Sequence, residues 1–249
     1  MKSLIYILAL LIGSLTFAQN ENLFEQGNTL YNNKKYAEAI DKYQAILDTG
    51  MHSSELYFNL GNAHYKLNHI APSIYYYEKA LLLNPKDKDI QNNMAYAKNM
   101  TIDAIDEVPE VGISKIVNSI TNIMTYNGWA VMSVLLFVLF VLLFLTYYFA
   151  EYTVRKRMAF TASFFAIGSG LITLMLAFRS YSLDKKTNPA IVFAQESQVK
   201  SEPNLSSQEL FILHEGTKVN ILDTVNNWKR IKLADGKTGW ISSEDIKKI

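Results

Sequence analysis

Trp129-Ala-Val-Met-Ser-Val-Leu-Leu-Phe-Val-Leu-Phe-Val-Leu-Leu-Phe-Leu-Thr-Tyr-Tyr-Phe-Ala150 contains no charged side chain. As a helix it extends roughly 33 Å, enough to cross a hydrocarbon core of ~30 Å. A second uncharged run, Met158 to Phe178, follows after the polar turn Glu151-Tyr-Thr-Val-Arg-Lys-Arg157. In lipid a helix satisfies its backbone polar groups within one segment, so the pattern predicts transmembrane helices at 129–150 and 158–178 joined by a loop at 151–157. Trp129, Tyr147 and Tyr148 sit at the ends of the first span, where interfacial aromatic residues gather. The alternative is a buried helical pair inside a soluble domain. Neither span holds an ionisable residue, so the hairpin reads as an anchor and not as an ion or proton path. Ala162, Ala166 and Gly170 form a small-residue stripe along which the first span can approach.

Upstream, Met1-Lys2 precedes the apolar run Leu4 to Ile12, with Thr16 and Ala18 before Gln19. Residues 1–18 therefore read as a secretory signal, either cleaved after Ala18 or kept as an anchor. The chain has no cysteine, which excludes disulfides and thiolate metal sites. Its net charge of +1, with no basic helix interleaved by aromatics, gives no reason to expect nucleic acid.

Between residues 20 and 100 the chain repeats itself. Leu23-Phe-Glu-Gln-Gly-Asn-Thr-Leu-Tyr31 returns as Tyr57-Phe-Asn-Leu-Gly-Asn-Ala-His-Tyr65. One common interval separates Gly27 from Gly61, Asn28 from Asn62, Ala37 from Ala71, Ile40 from Ile74, and Tyr43 from Tyr77. Glycines at a fixed period suit the close approach of two helices, and Pro85 falls where a helix should stop. The interval, about 34 residues, and the residue order resemble the tetratricopeptide (TPR) family, whose helix-turn-helix units stack into a solenoid. Ile90-Gln-Asn-Asn-Met94-Ala95 starts a third unit, which Asp106-Glu-Val-Pro109 interrupts, so two repeats plus a terminal helix are expected.

Phe24, Asn28 and Tyr31 share one helical stripe, and Phe58, Asn62 and Tyr65 repeat it. The resemblance places these residues, with Asn59, in a concave groove where amides and rings can hold an extended peptide. Tyr31 and Tyr65 could equally pack between helices. Phe24, Tyr96 and Met100 stand where carboxylate-clamp repeats carry basic residues, so such a clamp is not expected.

Residues 101–126 read as an acidic linker followed by an amphipathic helix. Ile113, Ile116, Val117, Ile120, Ile123 and Met124 mark its apolar face, suited either to the membrane surface or to packing under the repeats. From 188 to 249 short strand-like runs alternate with turns. Trp228-Lys-Arg-Ile-Lys-Leu233 and Lys237-Thr-Gly-Trp-Ile241 flank the hairpin signal Ala234-Asp-Gly236. With Glu215-Gly-Thr-Lys-Val219 these motifs resemble the bacterial SH3 family, a small five-stranded barrel. Strand parity puts Trp228, Arg230 and Lys232 on one face as candidate contacts and leaves Trp240 in the core or at the rim. Ser242 and Asp245 occupy positions where proline-helix grooves carry Pro and Tyr, so PxxP binding is not expected.

The fold class expected is thus a multi-domain membrane protein with an all-α TPR solenoid, a two-helix transmembrane hairpin and an all-β SH3-like barrel. An exported start and two spans would place the repeats and the barrel together on the periplasmic side of the inner membrane. The order of parts, with Val108-Pro-Glu-Val-Gly112 leading into the first span, resembles the TPR/SH3 membrane component of the Bacteroides aerotolerance (Bat) operon family. That resemblance implies a non-enzymatic scaffold in an envelope or stress-tolerance complex, with von Willebrand factor A-domain membrane proteins as partners. A peptidoglycan-binding anchor that recruits a wall enzyme is the alternative. His52, His64, His69 and His214 lack metal-ligand spacing and no nucleophile motif or phosphate loop occurs, so neither catalysis nor a cofactor is expected.

Overall fold

Strand β1 (Pro189–Val192) is where the helical and the β parts of the chain meet. Successive strand residues face opposite ways. Ala190 and Val192 point into the core of the barrel, while Ile191, fully buried between them, joins the core of the repeats. The structure, a computed structural model, describes residues 19–106, 108–109 and 112–249. The expected signal at 1–18 lies outside the described residues.

The repeats comprise α1 (residues 19–32), α2 (Tyr36–Asp48), α3 (Ser54–Lys66), α4 (Ile70–Leu83) and the terminal helix α5 (Lys88–Lys98). The repeat period has a steric origin. A Cβ built on Gly27 would stand 2.4 Å from the Tyr43 ring, and one on Gly61 would stand 2.6 Å from Tyr77. Each ring therefore lies flat on a glycine, and its hydroxyl donates to the asparagine that follows. Tyr43 reaches Asn28 Oδ1 at 2.7 Å and Tyr77 reaches Asn62 Oδ1 at 2.6 Å. Burial pushes the Tyr43 phenol up to about 12, with Tyr31 adding to the rise. Ser53 and Asp87 cap α3 and α5 by accepting backbone N–H bonds.

The C-terminal part is an antiparallel sheet of seven strands in the order β3-β2-β6-β5-β4-β1-β7. The strands after β1 are β2 (Glu196–Lys200), β3 (Glu209–His214), β4 (Lys218–Val225), β5 (Trp228–Lys232), β6 (Thr238–Ser242) and β7 (Ile246–Lys248). Seven strands are present where the family resemblance implies five. The first, β1, pairs with both β4 and β7 and so lies inside the sheet.

Repeats and barrel form one compact unit, the described residues 19–106 with 188–249. Phe193 meets Tyr75 edge-on with centroids 5.6 Å apart, and Lys247 Nζ lies 4.7 Å over the Tyr75 ring. Burial, then the nearby Lys79, lowers the Lys247 pKa. Lys218 Nζ bonds Glu78 Oε2 at 2.7 Å, neutralising an almost inaccessible carboxylate. The stretch after α5 is drawn in as well. Asp103 accepts from the His214 backbone N–H at 2.7 Å, from the Thr217 hydroxyl at 2.6 Å and from the His214 ring at 2.7 Å. Burial raises the Asp103 pKa, but these three donors outweigh it and hold the carboxyl below its usual range. Ile105 packs on the barrel core.

The second unit covers residues 108–187. It holds α6 (Ile113–Thr121), α7 (Tyr126–Phe149) and α8 (Thr153–Lys186), the last two long and apolar enough to cross a membrane. Helix α8 is longer than the apolar run that foretold it. The expected loop at 151–157 shrinks to a turn at Glu151 and Tyr152, because Arg155, Lys156 and Arg157, good helix formers, continue the backbone ladder. The small-residue stripe is also rotated from the expected one. Ala159, Ser163, Ala166, Gly170 and Ala177 are buried against the hairpin, whereas Ala162 is exposed. Ser133 Oγ donates to the Gly170 carbonyl at 3.0 Å, and a Cβ on Gly170 would meet Phe137 at 3.2 Å. The outer flanks of both helices expose apolar side chains, among them Val138, Leu142, Phe164 and Phe165.

Gly216 gives a direct test of the docking. Its φ of +86° is strained for any residue with a Cβ, and that Cβ would lie 2.8 Å from Thr101, 2.9 Å from Ile70 and 3.0 Å from Ile74. Gly236 has a similar φ of +92° with nothing within 4 Å. Gly236→Ala should cost ~1 kcal/mol from the backbone alone. Gly216→Ala adds a packing clash of ~1–3 kcal/mol and should lower the thermal midpoint of the repeat–barrel unit clearly further than Gly236→Ala. Asp103 supplies a second test, through pH. A carboxyl depressed on folding contributes its full stabilisation above the unfolded value near ~3.9, and loses it as pH falls through the lower folded value. Amide exchange at His214 should therefore accelerate below about pH 4, beyond the intrinsic trend, in the native chain. Asp103→Ala should show ~10- to 100-fold faster exchange already at neutral pH, from loss of ~1.5–3 kcal/mol, and should lack the acid step.

Candidate functional site

Among the described residues, the candidate contacts bear mainly on two surfaces, one on the repeats and one on the barrel. The first is a cavity of about 230 Å³ on the repeats, lined by Tyr31, Asn62, Tyr65, Lys66, Tyr77, Asn93 and Tyr96. Three of the residues expected in a groove, Tyr31, Asn62 and Tyr65, are brought together there. Of the expected asparagines, Asn28 and Asn62 have their amide oxygens already engaged within the protein. Asn59 Nδ2 donates to Asn28 Oδ1 at 2.9 Å, and Asn93 Nδ2 donates to Asn62 Oδ1 at 2.8 Å. With the Tyr43 and Tyr77 hydroxyls, each oxygen accepts two bonds, which is its capacity. What Asn28 and Asn62 can offer a ligand is therefore an N–H donor and not an acceptor.

Phe24 and Phe58 lie elsewhere. Their rings pack at 5.9 and 6.0 Å from Tyr43 and Tyr77, and both side chains are half-buried against the core. Phe24 borders a separate cavity with Asn20, Ile46, Met51 and Leu56, and Phe58 borders another with Asn84 and Asp87. Tyr31 touches Tyr36 edge-on at 5.2 Å and Tyr65 is half-buried, so both rings pack and line the open cavity at once. Lys66, Tyr77, Asn93 and Tyr96 are the lining residues that sequence reasoning missed. A signal for them existed, because Asn93 follows Asn62 at the interval by which Asn59 follows Asn28, and Tyr96 follows Tyr65 likewise.

The second surface lies on the barrel. Register places Trp228 opposite Ser242, Arg230 opposite Trp240 and Lys232 opposite Thr238. Directly opposed residues share a face, so Trp240 stands beside Arg230 on the face assigned to Trp228, not in the core. Lys200 faces Trp240 from β2, which makes a basic–aromatic–basic row across three strands. Arg230 and Lys232 are exposed, and Trp228 and Trp240 are half-buried. The row is balanced at its ends, with Glu209 opposite Lys200 and Asp223 opposite Arg230. Asp245 is turned to structural use, accepting from Ser197 Oγ and, through its carbonyl, from the Phe193 N–H.

The histidines are dispersed. His52 Nδ1 meets the Tyr57 hydroxyl at 2.7 Å, and His214 holds Asp103. His64 and His69 approach through Nδ1 at 3.2 Å, and His64 stacks on Tyr76. Burial, then the charges of His69 and Lys247, pushes His64 down to about 4, so it is neutral at pH 7. Among the described residues no group of three His, Asp or Glu side chains is placed to hold a metal ion.

Comparison with known families agrees with this division. Residues 54–87 match the tetratricopeptide repeat family, and residues 197–247 match the bacterial SH3 domain family. No curated protein matches the chain. The SH3 match begins beyond β1, so the strand that joins the barrel to the repeats lies outside the matched region. The chain thus carries a tetratricopeptide repeat and a bacterial SH3 domain, with two apolar helices between them in sequence.

Proposed function

We propose that the protein is a membrane-anchored interaction scaffold whose repeats and barrel work as one docked unit on a single side of the membrane. The observation that carries this reading is the shared core at Ile191. Segments before and after the apolar hairpin pack into one body, and they can do so only if the chain crosses the membrane an even number of times. Two spans, α7 and α8, meet that requirement. The signal-like start and the Arg155-Lys-Arg157 cluster at the beginning of α8 favour the periplasmic side of an inner membrane for the docked unit.

On this reading the cavity around Tyr65 and Tyr96 receives a segment of a partner protein. Its walls offer phenol rings, amide donors and the Lys66 ammonium, a set suited to an extended peptide bearing a carbonyl or carboxylate. The architecture supports a place in an aerotolerance-type envelope complex of the Bat kind, with von Willebrand factor A-domain membrane proteins as partners. A second reading is favoured by the row Lys200–Trp240–Arg230 on the barrel. In that reading the SH3 face grips peptidoglycan and the repeats recruit a wall enzyme.

Photocrosslinkers at Tyr96, which is 62 % exposed, and at Trp228 distinguish the two in native membranes. The scaffold reading expects a discrete protein adduct at Tyr96 that Tyr65→Ala reduces by about tenfold, the effect of ~1.4 kcal/mol. The unfolding midpoint should shift little, because the Tyr65 ring is only half-buried. Glycan fragments at Trp228, with the Tyr96 adduct identified as a wall enzyme, would replace the scaffold by the wall anchor.

A further inference from the structure

Helix α6 has one engaged edge and one open face. At roughly 100° per residue Ile113, Ile116 and Ile120 fall on one side, and Ile123 continues the stripe into the following turn. All four are exposed, Ile113 at 79 % and Ile123 at 64 %. The other edge is tied to the hairpin. Asn118 Oδ1 accepts from Arg179 Nη2 at 2.6 Å, and the carbonyl of the buried Thr121 accepts from the Trp129 indole N–H at 2.9 Å. The isoleucine face is therefore held outward by bonds on its polar side.

Three observations identify what covers that face. The chain passes from Ile123 directly into α7, whose flank exposes Val131 and Val134, so one apolar surface leads into the next. The connection between the helices needs little water. The Asn122 and Ile123 amides donate to the Asn118 and Ile120 carbonyls, the Thr121 hydroxyl to Val117, and the Gly128 and Trp129 amides to the hydroxyl and carbonyl of Thr125. Such internal satisfaction is demanded where hydrocarbon begins. Finally, residues suited to a headgroup region cluster at this end of the hairpin. The Tyr126 and Tyr181 rings meet with centroids 5.7 Å apart. Lys185 lies over Tyr181, and Arg179 reaches Asn118.

We propose that α6 lies in the plane of the membrane surface with its isoleucine face in the boundary between headgroups and acyl chains. Its partner is a lipid surface, held through apolar area and not charge, since Lys115 is the helix's single ionised group. This rests on the reading of α7 and α8 as membrane spans, and the test separates the two.

Because the chain has no cysteine, single-cysteine labels report one site each. Ile116→Cys and Ile120→Cys sample the apolar face, Asn122→Cys the opposite face, and Val138→Cys the middle of α7. Each full-length variant carries an environment-sensitive fluorophore in phosphatidylethanolamine–phosphatidylglycerol vesicles containing spin-labelled lipid. Labels at 116 and 120 should be quenched by shallow lipid spin labels several-fold more than the label at 122. Aqueous iodide should show the reverse order, and the label at 138 should respond to deep spin labels. Quenching at 138 with iodide access at 116 would overturn the proposal while leaving the spans intact. Shielding of 116 from both quenchers would also overturn it, by showing that protein covers the face. A label at 138 that does not respond to lipid would remove the spans themselves, and this proposal with them.

Discussion

Burial of Ile191 in a core built mainly by other helices is the constraint on which the rest of the molecule depends. A strand with one face on its own barrel and the other on a helical repeat cannot be moved without exposing two cores. The polar contacts around it reinforce this. Lys218 and Glu78 neutralise each other at the edge, and Asp103 fastens the chain leaving the repeats to the turn after β3. Neutralisation matters because a lone buried carboxylate would oppose docking more strongly than the ion pair promotes it.

Inside the repeats, the glycine, tyrosine and asparagine of each unit serve one another. Glycine admits the ring, the ring's hydroxyl meets the asparagine, and an asparagine on the next unit's first helix fills the second lone pair. The result is a polar ladder crossing from unit to unit, which reaches the cavity at Asn62, Tyr77 and Asn93. It fixes the register of neighbouring helices and leaves Asn62 only its amide donor for a ligand, so the same residues set stacking and part of the binding chemistry.

Much of this was legible in the sequence because it follows from local period. Glycines at one fixed interval, two long uncharged runs and the Ala234-Asp-Gly236 hairpin each state a steric or solvation need within one element. What escaped depends on pairing between distant elements. The buried face of α8 departs from expectation at Ala162 because a helix that is apolar all round gives no sign of its rotation. Parity along one strand says nothing of the register with the next, so it leaves Trp240 between core and rim, without the pairing that sets it beside Arg230. The docking had a faint signature. Ala190-Ile-Val-Phe193 is apolar without alternation, as expected of a strand covered on both sides. Asp103 had none, since its three donors lie more than a hundred residues away.

The same β1 strand also sets an order of assembly. Its helical partner surface, Ile70, Ile74 and Tyr75 on α4, is complete long before residue 191 leaves the ribosome. At ~5–20 residues per second the interval from Ile105 to Ile191 lasts several seconds. The repeats therefore wait with an apolar surface uncovered until α7 and α8 have been made and β1 can dock. With α7 and α8 as the proposed membrane spans, their insertion becomes a kinetic gate for maturation of the docked unit, and a chain stalled within α7 would present that surface to chaperones or proteases.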